Sequence, residues 1–274
     1  MKVVAETLGV SRSNLHERAG QGRRRRSPYR RAGDPDLLAA IRELTDQRPT
    51  YGYRRITALL NRSREANDEP RVNHKRVFRL MATHGLLLER HTATRSGRLH
   101  DGKVAVMRSN LRWCSDAFEV ACWSGEIVRV AFAIDAHDRE AIAWTAMAGR
   151  GVAGDDVRDL MLEAVEKRFG AERAPHDVEW LSDNGSPYTA RDTRDFARQS
   201  GLSPCFTPAK SPESNGMAEA FVKTFKRDYV RVNPVPDAPT VLQQLDAWFE
   251  DYNENHPHSR LGMRSPRAYI QATS

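Results

Sequence analysis

Three acidic residues lie within or next to predicted strands and helices, at positions where a carboxylate could serve a chemical function. Asp116 interrupts the largely apolar run Trp113–Phe118, and Asp183 follows the short run Val178–Leu181 at an Asn-Gly turn. Glu219 lies early in a predicted helix, and 35 residues separate it from Asp183. An ionised carboxylate in an apolar strand is costly unless a cation or a hydrogen-bond donor meets it. The pattern therefore indicates a site that recruits cations.

Together the three carboxylates could hold divalent metal ions. If they converge at one sheet edge, they repel each other unless cations lie among them. Ligands that are all oxygen favour Mg²⁺, for which Mn²⁺ can substitute, over zinc. Two such ions can activate water or a hydroxyl group on one side of a phosphate and stabilise the leaving oxygen on the other. We therefore predict that Asp116, Asp183 and Glu219 are both the catalytic and the metal-binding residues.

Other residues compete for these roles. Asp135 and Asp138 could supply the first carboxylate, but they occupy a predicted turn, where Asp is common. Glu213 could supply the third, but it stands before the helix beside a proline, only 30 positions after Asp183. His256 and His258 flank a proline with no third ligand near, which favours a structural turn over a metal site.

From residue 111 onward the sequence predicts a mixed α/β sheet covered by helices. Successive antiparallel strands are expected at 111–120, 126–135 and 140–147, with turns at 123–125 and 136–139. A helix is expected at about 155–169, a short strand at 178–181, and further helices at about 190–200, 214–231 and 238–253. Strands followed by interleaved helices and strands favour one helix-covered sheet. Trp113, Trp123 and Trp144 are predicted to lie in its core.

The part before residue 111 is predicted to be helical, in several segments. Residues 1–20 resemble a partial helix-turn-helix, because an apolar helical pattern is followed by a glycine and by Ser11, a favoured N-cap residue. A plain helical hairpin is the alternative. Residues 21–34 form a basic linker, residues 35–91 a helical domain with three apolar stripes, and residues 92–110 a second linker.

Charge is divided unevenly along the chain. Residues 1–110 contain 24 Lys and Arg against 11 Asp and Glu, whereas residues 111–274 contain 19 against 25. A basic segment joined to an acidic one is expected where the basic segment holds a polyanion and the acidic one supplies carboxylates. Charge alone nominates nucleic acid without separating DNA from RNA.

The candidate nucleic-acid contacts are basic or amide side chains at four places, one of which is the Tyr51–Arg55 segment at the start of the second helix of the 35–91 domain. The arginine run in the linker could follow phosphates, polar positions on the third helix of the 35–91 domain could reach a major groove, and lysines beyond Glu219 could hold the reacting strand. The predicted residues are Arg23, Arg24, Arg25, Arg26, Arg54, Arg55, Asn73, Lys75, Arg76, Arg79, Lys223, Lys226 and Arg227. For the Tyr51–Arg55 segment the alternative is that the tyrosines pack the turn and the arginines are simply exposed.

Seven segments, in order along nearly the whole chain, resemble one family. They are PTYGYRR at 49–55, VNHKRV at 72–77, RWCSD at 112–116, LSDNG at 181–185, SPESNGMAE at 211–219, KTFKRDY at 223–229 and YNENHPH at 252–258. These motifs resemble the DDE transposases of the retroviral integrase superfamily. More narrowly, they resemble the second-frame (OrfB) products of two-frame bacterial insertion sequences. The family's three catalytic acids fall on Asp116, Asp183 and Glu219.

The resemblance implies a ribonuclease-H-like catalytic core preceded by a helix-turn-helix DNA-binding region. It implies an enzyme that binds the inverted repeats at the element's ends through residues 1–90, cleaves a terminal phosphodiester and transfers the 3′-hydroxyl strand to DNA. It also implies a multimer on paired ends, and a first-frame (OrfA) product that supplies more of the DNA-binding region. A non-catalytic DNA-binding regulator with a remnant fold is the alternative, which the intact triad disfavours.

The expected location is the bacterial cytoplasm, in association with the nucleoid. No apolar run approaches the roughly 18 residues of a membrane span, and the N-terminus lacks a secretory cleavage site. Three cysteines without metal-ligand spacing suit a reducing compartment.

Overall fold

The computed structural model describes residues 2–7, 9, 32–89, 106–207 and 216–273. The chain divides into two compact units, Met1–Ala40 and Ile41–Ser274. Several predictions fall outside the described residues: the second helix of the 1–20 segment with Ser11, the arginine run Arg23–Arg26, most of the linker at 92–110, and Glu213. Within the described ranges, no helix is long and apolar enough to cross a membrane.

Four helices precede the sheet in the described chain. They are α1 (Lys2–Thr7), α2 (Asp34–Gln47), α3 (Tyr53–Ala66) and α4 (His74–Thr83). Ile56 and Leu60 of α3 and Val77 of α4 are buried, as expected for two amphipathic helices that pack together. Asn73 is the N-cap of α4, where its side-chain oxygen accepts the Lys75 backbone N–H at 2.8 Å.

One five-stranded sheet forms the centre of the second unit. Its strands are β1 (Arg112–Ala121), β2 (Ile127–Asp135), β3 (Ala141–Ala148), β4 (Val178–Ser182) and β5 (Leu202–Phe206). Their order is β3-β2-β1-β4-β5. The pairs β1–β2 and β2–β3 are antiparallel, and the pairs β1–β4 and β4–β5 are parallel. The predicted antiparallel strands are confirmed. The pattern does not predict β5, in which Pro204 is tolerated because the strand lies at a sheet edge.

Helices cover both faces of this sheet, as predicted. They are α5 (Gly154–Phe169), α6 (Ser186–Thr189), α7 (Arg191–Gln199), α8 (Gly216–Asp228), α9 (Ala238–Asn255) and α10 (Pro266–Thr273), with short 3₁₀ turns at Val230–Val232 and Ser259–Leu261. One core lies under α5 and α7 and includes Trp113 and Trp180. The other lies under α8 and α9 and includes Phe118, Phe221 and Phe249.

One member of the predicted tryptophan core lies elsewhere. Trp113 is fully buried, but Trp123 is 72% exposed because it lies in the β1–β2 turn, where its backbone N–H donates to the Val235 carbonyl. Trp144 is partly buried, and its ring stacks on Phe249 at 4.3 Å between centroids. The prediction is therefore wrong for Trp123, since an aromatic residue in a tight turn has no sheet face to bury it.

Candidate active site

Asp116 and Asp183 lie side by side because of the register between two parallel strands. Cys114 of β1 pairs with Leu181 of β4, and each aspartate lies two residues further along its chain. Neighbouring strands are about 4.8 Å apart, and residues two apart on a strand point to the same face. The two carboxylates therefore start from the same level of the sheet, one in β1 and the other just after β4.

Glu219 reaches the same region from the helix above it. Asp116 shares its face of β1 with Phe118, whose ring packs 5.5 Å from Phe225 of α8. Glu219 lies in the first turn of that helix, and its side chain is 47% exposed. Its Oε2 accepts a hydrogen bond from Lys223 Nζ at 3.1 Å. The third acid thus faces solvent in the first turn of a helix whose buried face, which includes Phe221 and Phe225, packs on the sheet.

The electrostatics of Asp116 reflect both burial and its acidic neighbours. Burial raises the pKa of the Asp116 carboxyl to about 6, and the negative charges of Asp183 and Glu219 add to that rise. The Ala117 backbone N–H donates to Asp116 Oδ1 at 2.8 Å, which opposes the rise. A carboxylate that is already disfavoured in its charged form is one that a divalent cation would stabilise.

The turn after β4 holds Asp183 in one orientation. Asp183 Oδ1 accepts the Gly185 backbone N–H at 3.0 Å, and a Cβ built on Gly185 would lie 3.0 Å from the same oxygen. Asn184 Nδ2 donates to the Thr207 carbonyl at 2.9 Å, which ties the turn to the end of β5. Asn184 and Gly185 of this motif thus have separate structural roles, and both help to fix the position of Asp183.

Tyr188 is a neighbour of the acids that the sequence pattern does not indicate. Its ring is buried, its hydroxyl lies 3.1 Å from Ser115 Oγ, and burial raises its pKa. The charges of Asp116 and Asp183 raise that pKa further, which places both acids nearby. A tyrosine five positions after an aspartate carries no sequence signal of its own, so this neighbour depends on the fold.

The donor set fits a hard divalent cation. Three carboxylates supply only oxygen, the preferred ligand of Mg²⁺ and Mn²⁺, and the pKa of one of them is raised by burial and, in addition, by the charges of the other two. In the part of the chain that is described, no three His, Cys, Asp or Glu side chains are already arranged closely enough to hold a metal ion. Glu219 instead bonds Lys223, so side-chain rearrangement would have to accompany metal binding.

Two of the competing acids, Asp135 and Asp138, have structural roles. Asp138 is fully buried and accepts from Arg168 of α5 at 2.9 Å. Asp135 is also buried, and it accepts from the backbone of Asn110 and the indole N–H of Trp113. His256, likewise buried, caps the C-terminus of α9. The expectation that the histidine pair belongs to a structural turn agrees with this placement.

The predicted nucleic-acid contacts have different surroundings. Arg54 and Lys75 are exposed, whereas Arg76 and Arg79 are half-buried. Lys226 lies over the Phe118 ring at 5.7 Å. Arg55 and Arg227 both bond the buried carboxylate of Asp228. Their guanidinium groups are therefore engaged within the protein.

Known families and proteins match nearly all of the chain. Residues 107–212 and 200–266 match integrase core domain families, and residues 34–93 match an HTH-like domain family. The chain is 49% identical over 278 residues to the transposase InsD of the Escherichia coli insertion element IS2, covering 99% of this chain and 91% of InsD. It is 68% identical over 194 residues to an uncharacterised protein of insertion element IS136 from Agrobacterium fabrum, covering 71% of this chain and all of that protein. The catalytic core domain of BIV integrase is structurally similar with a TM-score of 0.42 at 18% identity, over 60% of this chain and 96% of that core.

The family matches and the similarity to InsD, together with the mixed sheet, define a DNA transposase of the integrase-core type, a DDE polynucleotidyl transferase with a ribonuclease-H-like fold behind a helical HTH-like region. More narrowly, the chain belongs to the family of the insertion-element transposase InsD of IS2.

Proposed function

We propose that this transposase binds the terminal inverted repeats of its element, hydrolyses a terminal phosphodiester and joins the freed 3′-hydroxyl to another DNA strand. One observation supports the site above all. Asp116 and Asp183 start from one level of the sheet, and the charges of Asp183 and Glu219 both raise the pKa of Asp116. Three acids that repel one another where β4 ends beside β1 suit metal-assisted phosphoryl transfer.

In this proposal Asp116, Asp183 and Glu219 hold two Mg²⁺ ions, for which Mn²⁺ can substitute. When bound, such ions activate the attacking oxygen and stabilise the leaving one. The Ala117 and Gly185 N–H groups hold the two aspartates in place before any metal arrives. The ion pair between Lys223 and Glu219 neutralises part of the charge in the meantime, and we propose that Lys223 and Lys226 then contact the DNA strand at the site.

The helical region is proposed to bind the ends of the element. Arg54, Lys75, Arg76 and Arg79, together with the arginine run Arg23–Arg26, are the proposed contacts, and phosphate pairing would supply most of their binding energy. Asn73 caps α4 and would orient that helix. We further propose that the enzyme works as a multimer on paired ends at the bacterial nucleoid, with a first-frame product supplying additional DNA-binding residues. The first joining reaction would connect the two ends and give a circular intermediate.

The test is a supercoiled plasmid carrying the two terminal repeats that flank the gene, incubated with the full chain and Mg²⁺. Nicked and joined strands are mapped at nucleotide resolution for wild type, Glu219→Gln and Glu213→Gln. The matched control is Glu213→Gln, because Glu213 is the rival third carboxylate. We expect end-specific nicks and joints from wild type and Glu213→Gln, and a loss of roughly 10³-fold with Glu219→Gln, as for removal of a charge-stabilising catalytic group.

Each other outcome has a definite meaning. Full activity of Glu219→Gln would overturn the site assignment. Nicks that are never followed by joints would identify a nuclease that does not transfer strands. If no variant gives product, adding the first-frame product decides whether the chain lacks only a partner.

A further inference from the structure

The C-terminal end of α8 carries a second carboxylate with surroundings unlike those of Glu219. The side chain of Asp228, at the last residue of the helix, is 1% exposed. Its Oδ2 accepts from Arg55 at 3.0 Å, and its Oδ1 accepts from Thr50 at 2.6 Å. Arg227 donates to both oxygens at 2.6 Å. Two of these partners come from the helical region, more than 170 positions earlier in the chain.

A parallel set of contacts surrounds Asp251 of α9. Arg48 donates to both of its oxygens, at 2.6 and 2.5 Å, and the Tyr229 hydroxyl donates at 3.0 Å. The Arg48 partner holds the pKa of Asp251 below its ordinary value even though burial acts in the opposite direction. A bidentate arginine–carboxylate pair also fixes geometry, because both groups are planar.

Tyr51 fills the space between these two ion pairs. Its side chain is 2% exposed, and its hydroxyl lies 2.9 Å from Nδ1 of the buried His256. The guanidinium of Arg55 lies over its ring at 5.1 Å. We call Arg48, Thr50, Tyr51 and Arg55, together with Asp228, Asp251 and His256, the helical joint.

The joint acts on the same rigid element as the active site. Glu219 and Asp228 are nine residues apart on α8, which corresponds to about 14 Å along the helix axis. Phe221 and Phe225, between them, are buried against the sheet. A shift at the C-terminal end of a packed helix is therefore carried to its first turn.

We propose that the helical joint couples the DNA-binding helices to the third catalytic acid, and that Arg55 is a positioning residue in it and not a DNA contact. This inference rests on the proposed function. Arg55 is 25% exposed and is engaged by Asp228 and Tyr51. Its neighbour Arg54 is exposed and has its guanidinium near the Tyr53 ring. Two adjacent arginines of one motif thus divide the work: Arg54 contacts phosphate, while Arg55 holds the catalytic helix.

The experiment compares Arg55→Gln with the matched control Arg54→Gln in the full chain. The probe is a fluorescent duplex of the terminal repeat flanking the gene, and its Kd is measured by anisotropy at several salt concentrations. Single-turnover cleavage is then measured at saturating duplex with Mg²⁺. Asp228→Asn and the double variant Asp228→Asn/Arg55→Gln complete a cycle. Melting temperatures confirm that each variant is folded.

We expect opposite responses from the two arginines. Arg54→Gln weakens binding and reduces the slope of log K against log salt by about 0.9, as for one lost phosphate contact, with little effect on cleavage at saturation. Arg55→Gln leaves Kd and slope within about twofold but slows cleavage about 10- to 100-fold, as expected when a reacting group is misplaced by a fraction of an ångström to an ångström. In the Asp228→Asn background, Arg55→Gln adds less than twofold, because the pair is already broken.

Other outcomes would overturn the joint. If Arg55→Gln loses affinity and slope as Arg54→Gln does, and its effect adds to that of Asp228→Asn, Arg55 is a DNA contact. If Arg55→Gln changes neither binding nor cleavage, the joint has no role in coupling. If wild type binds the duplex but never cleaves it, the proposed function fails, and amide hydrogen exchange in α8 decides the joint. Faster exchange around Glu219 in Arg55→Gln than in Arg54→Gln supports it, and equal exchange contradicts it.

Discussion

The two ends of α8 carry carboxylates in opposite situations. Glu219, at the start, belongs to a group of three acids for which the described residues supply one ion-pair partner, the exposed Lys223. Asp228, at the end, is buried and satisfied by two arginines and a threonine. Asp138 and Asp251 resemble Asp228, since each is paired with an arginine.

This difference separates carboxylates that hold the fold together from carboxylates that we propose serve the chemistry. A buried acid that stabilises the fold comes with its counter-charge, because leaving it unpaired is costly. Among the described residues Asp116 and Asp183 have no ion-pair partner of this kind, and burial, together with the charges of Asp183 and Glu219, raises the pKa of Asp116. A metal site thus requires carboxylates at fixed positions without nearby positive charge, and these carboxylates destabilise the protein when no metal is bound.

The strongest test of the comparison is the stability of two matched variants, Asp228→Asn and Asp116→Asn. Removing the charge of Asp228 leaves Arg55 and Arg227 without their partner, and we expect a loss of about 2–4 kcal/mol. Removing the charge of Asp116 removes the cost of burying that charge and its repulsion from the other two acids, so we expect unchanged or higher stability in the absence of metal. Thermal melts at pH 7.5 with EDTA check both, at about 2–4 °C for each kcal/mol. A loss of similar size in both variants would break the comparison.

The pH dependence of stability sharpens the comparison at Asp116. Its pKa is raised to about 6 in the folded protein, above about 3.9 in the unfolded chain. The folded state therefore binds the proton more tightly, and this group's contribution to stability falls as pH rises from about 4 to about 6, then stays flat. With partial exposure taken into account, the change is on the order of 1–2 kcal/mol.

The measurement is the unfolding free energy of wild type minus that of Asp116→Asn between pH 4 and 7.5, with and without Mg²⁺. Without metal the difference should decrease over this range, and with Mg²⁺ the decrease should be reversed, since the cation stabilises the charged form. A difference that does not vary with pH would show that Asp116 is not held against its charged state.

A smaller effect is expected from Gly185→Ala, which adds a methyl group 3.0 Å from Asp183 Oδ1. The carboxylate must move by a few tenths of an ångström, so we expect cleavage to slow about 10-fold while stability changes by less than about 1 kcal/mol. Gly151→Ala is the control, because nothing lies within 4 Å of a Cβ there. Equal rates for the two variants in the plasmid assay would mean that the turn does not position Asp183.

Local pattern predicts much of this architecture and little of its long-range pairing. The strand around Asp116, the strand end before Asp183 and the helix start before Glu219 follow from short runs of apolar residues and turn signals, and the structure has these elements where they are expected. The catalytic roles of the three acids remain predictions. The sequence pattern does not predict strand β5, because the strand has only five residues and one of them is a proline.

The partners of Arg55 and Arg227 are beyond such reasoning. Arg55 meets Asp228 across 173 positions, and nothing in the periodicity near either residue indicates that they pair. The sequence around Arg227 predicts a DNA contact, because the residue lies in a basic motif after Glu219. Its guanidinium nevertheless donates to the next residue, Asp228. Which cation in a basic motif is already used by the fold becomes visible only when distant elements are brought together.

The parallel register of Cys114 with Leu181 has a consequence for how this enzyme can change in evolution. Between β1 and β4 the chain makes an excursion that adds β2 and β3 to the same sheet and forms α5, and it then returns beside β1. Insertions within that excursion lengthen turns on the surface without altering the separation of Asp116 and Asp183. One residue inserted between Leu181 and Asp183, by contrast, would turn the second acid toward the opposite face. The enzyme can therefore vary widely in the length of its loops, but it tolerates no insertion or deletion between Cys114 and Asp116 or between Leu181 and Asp183.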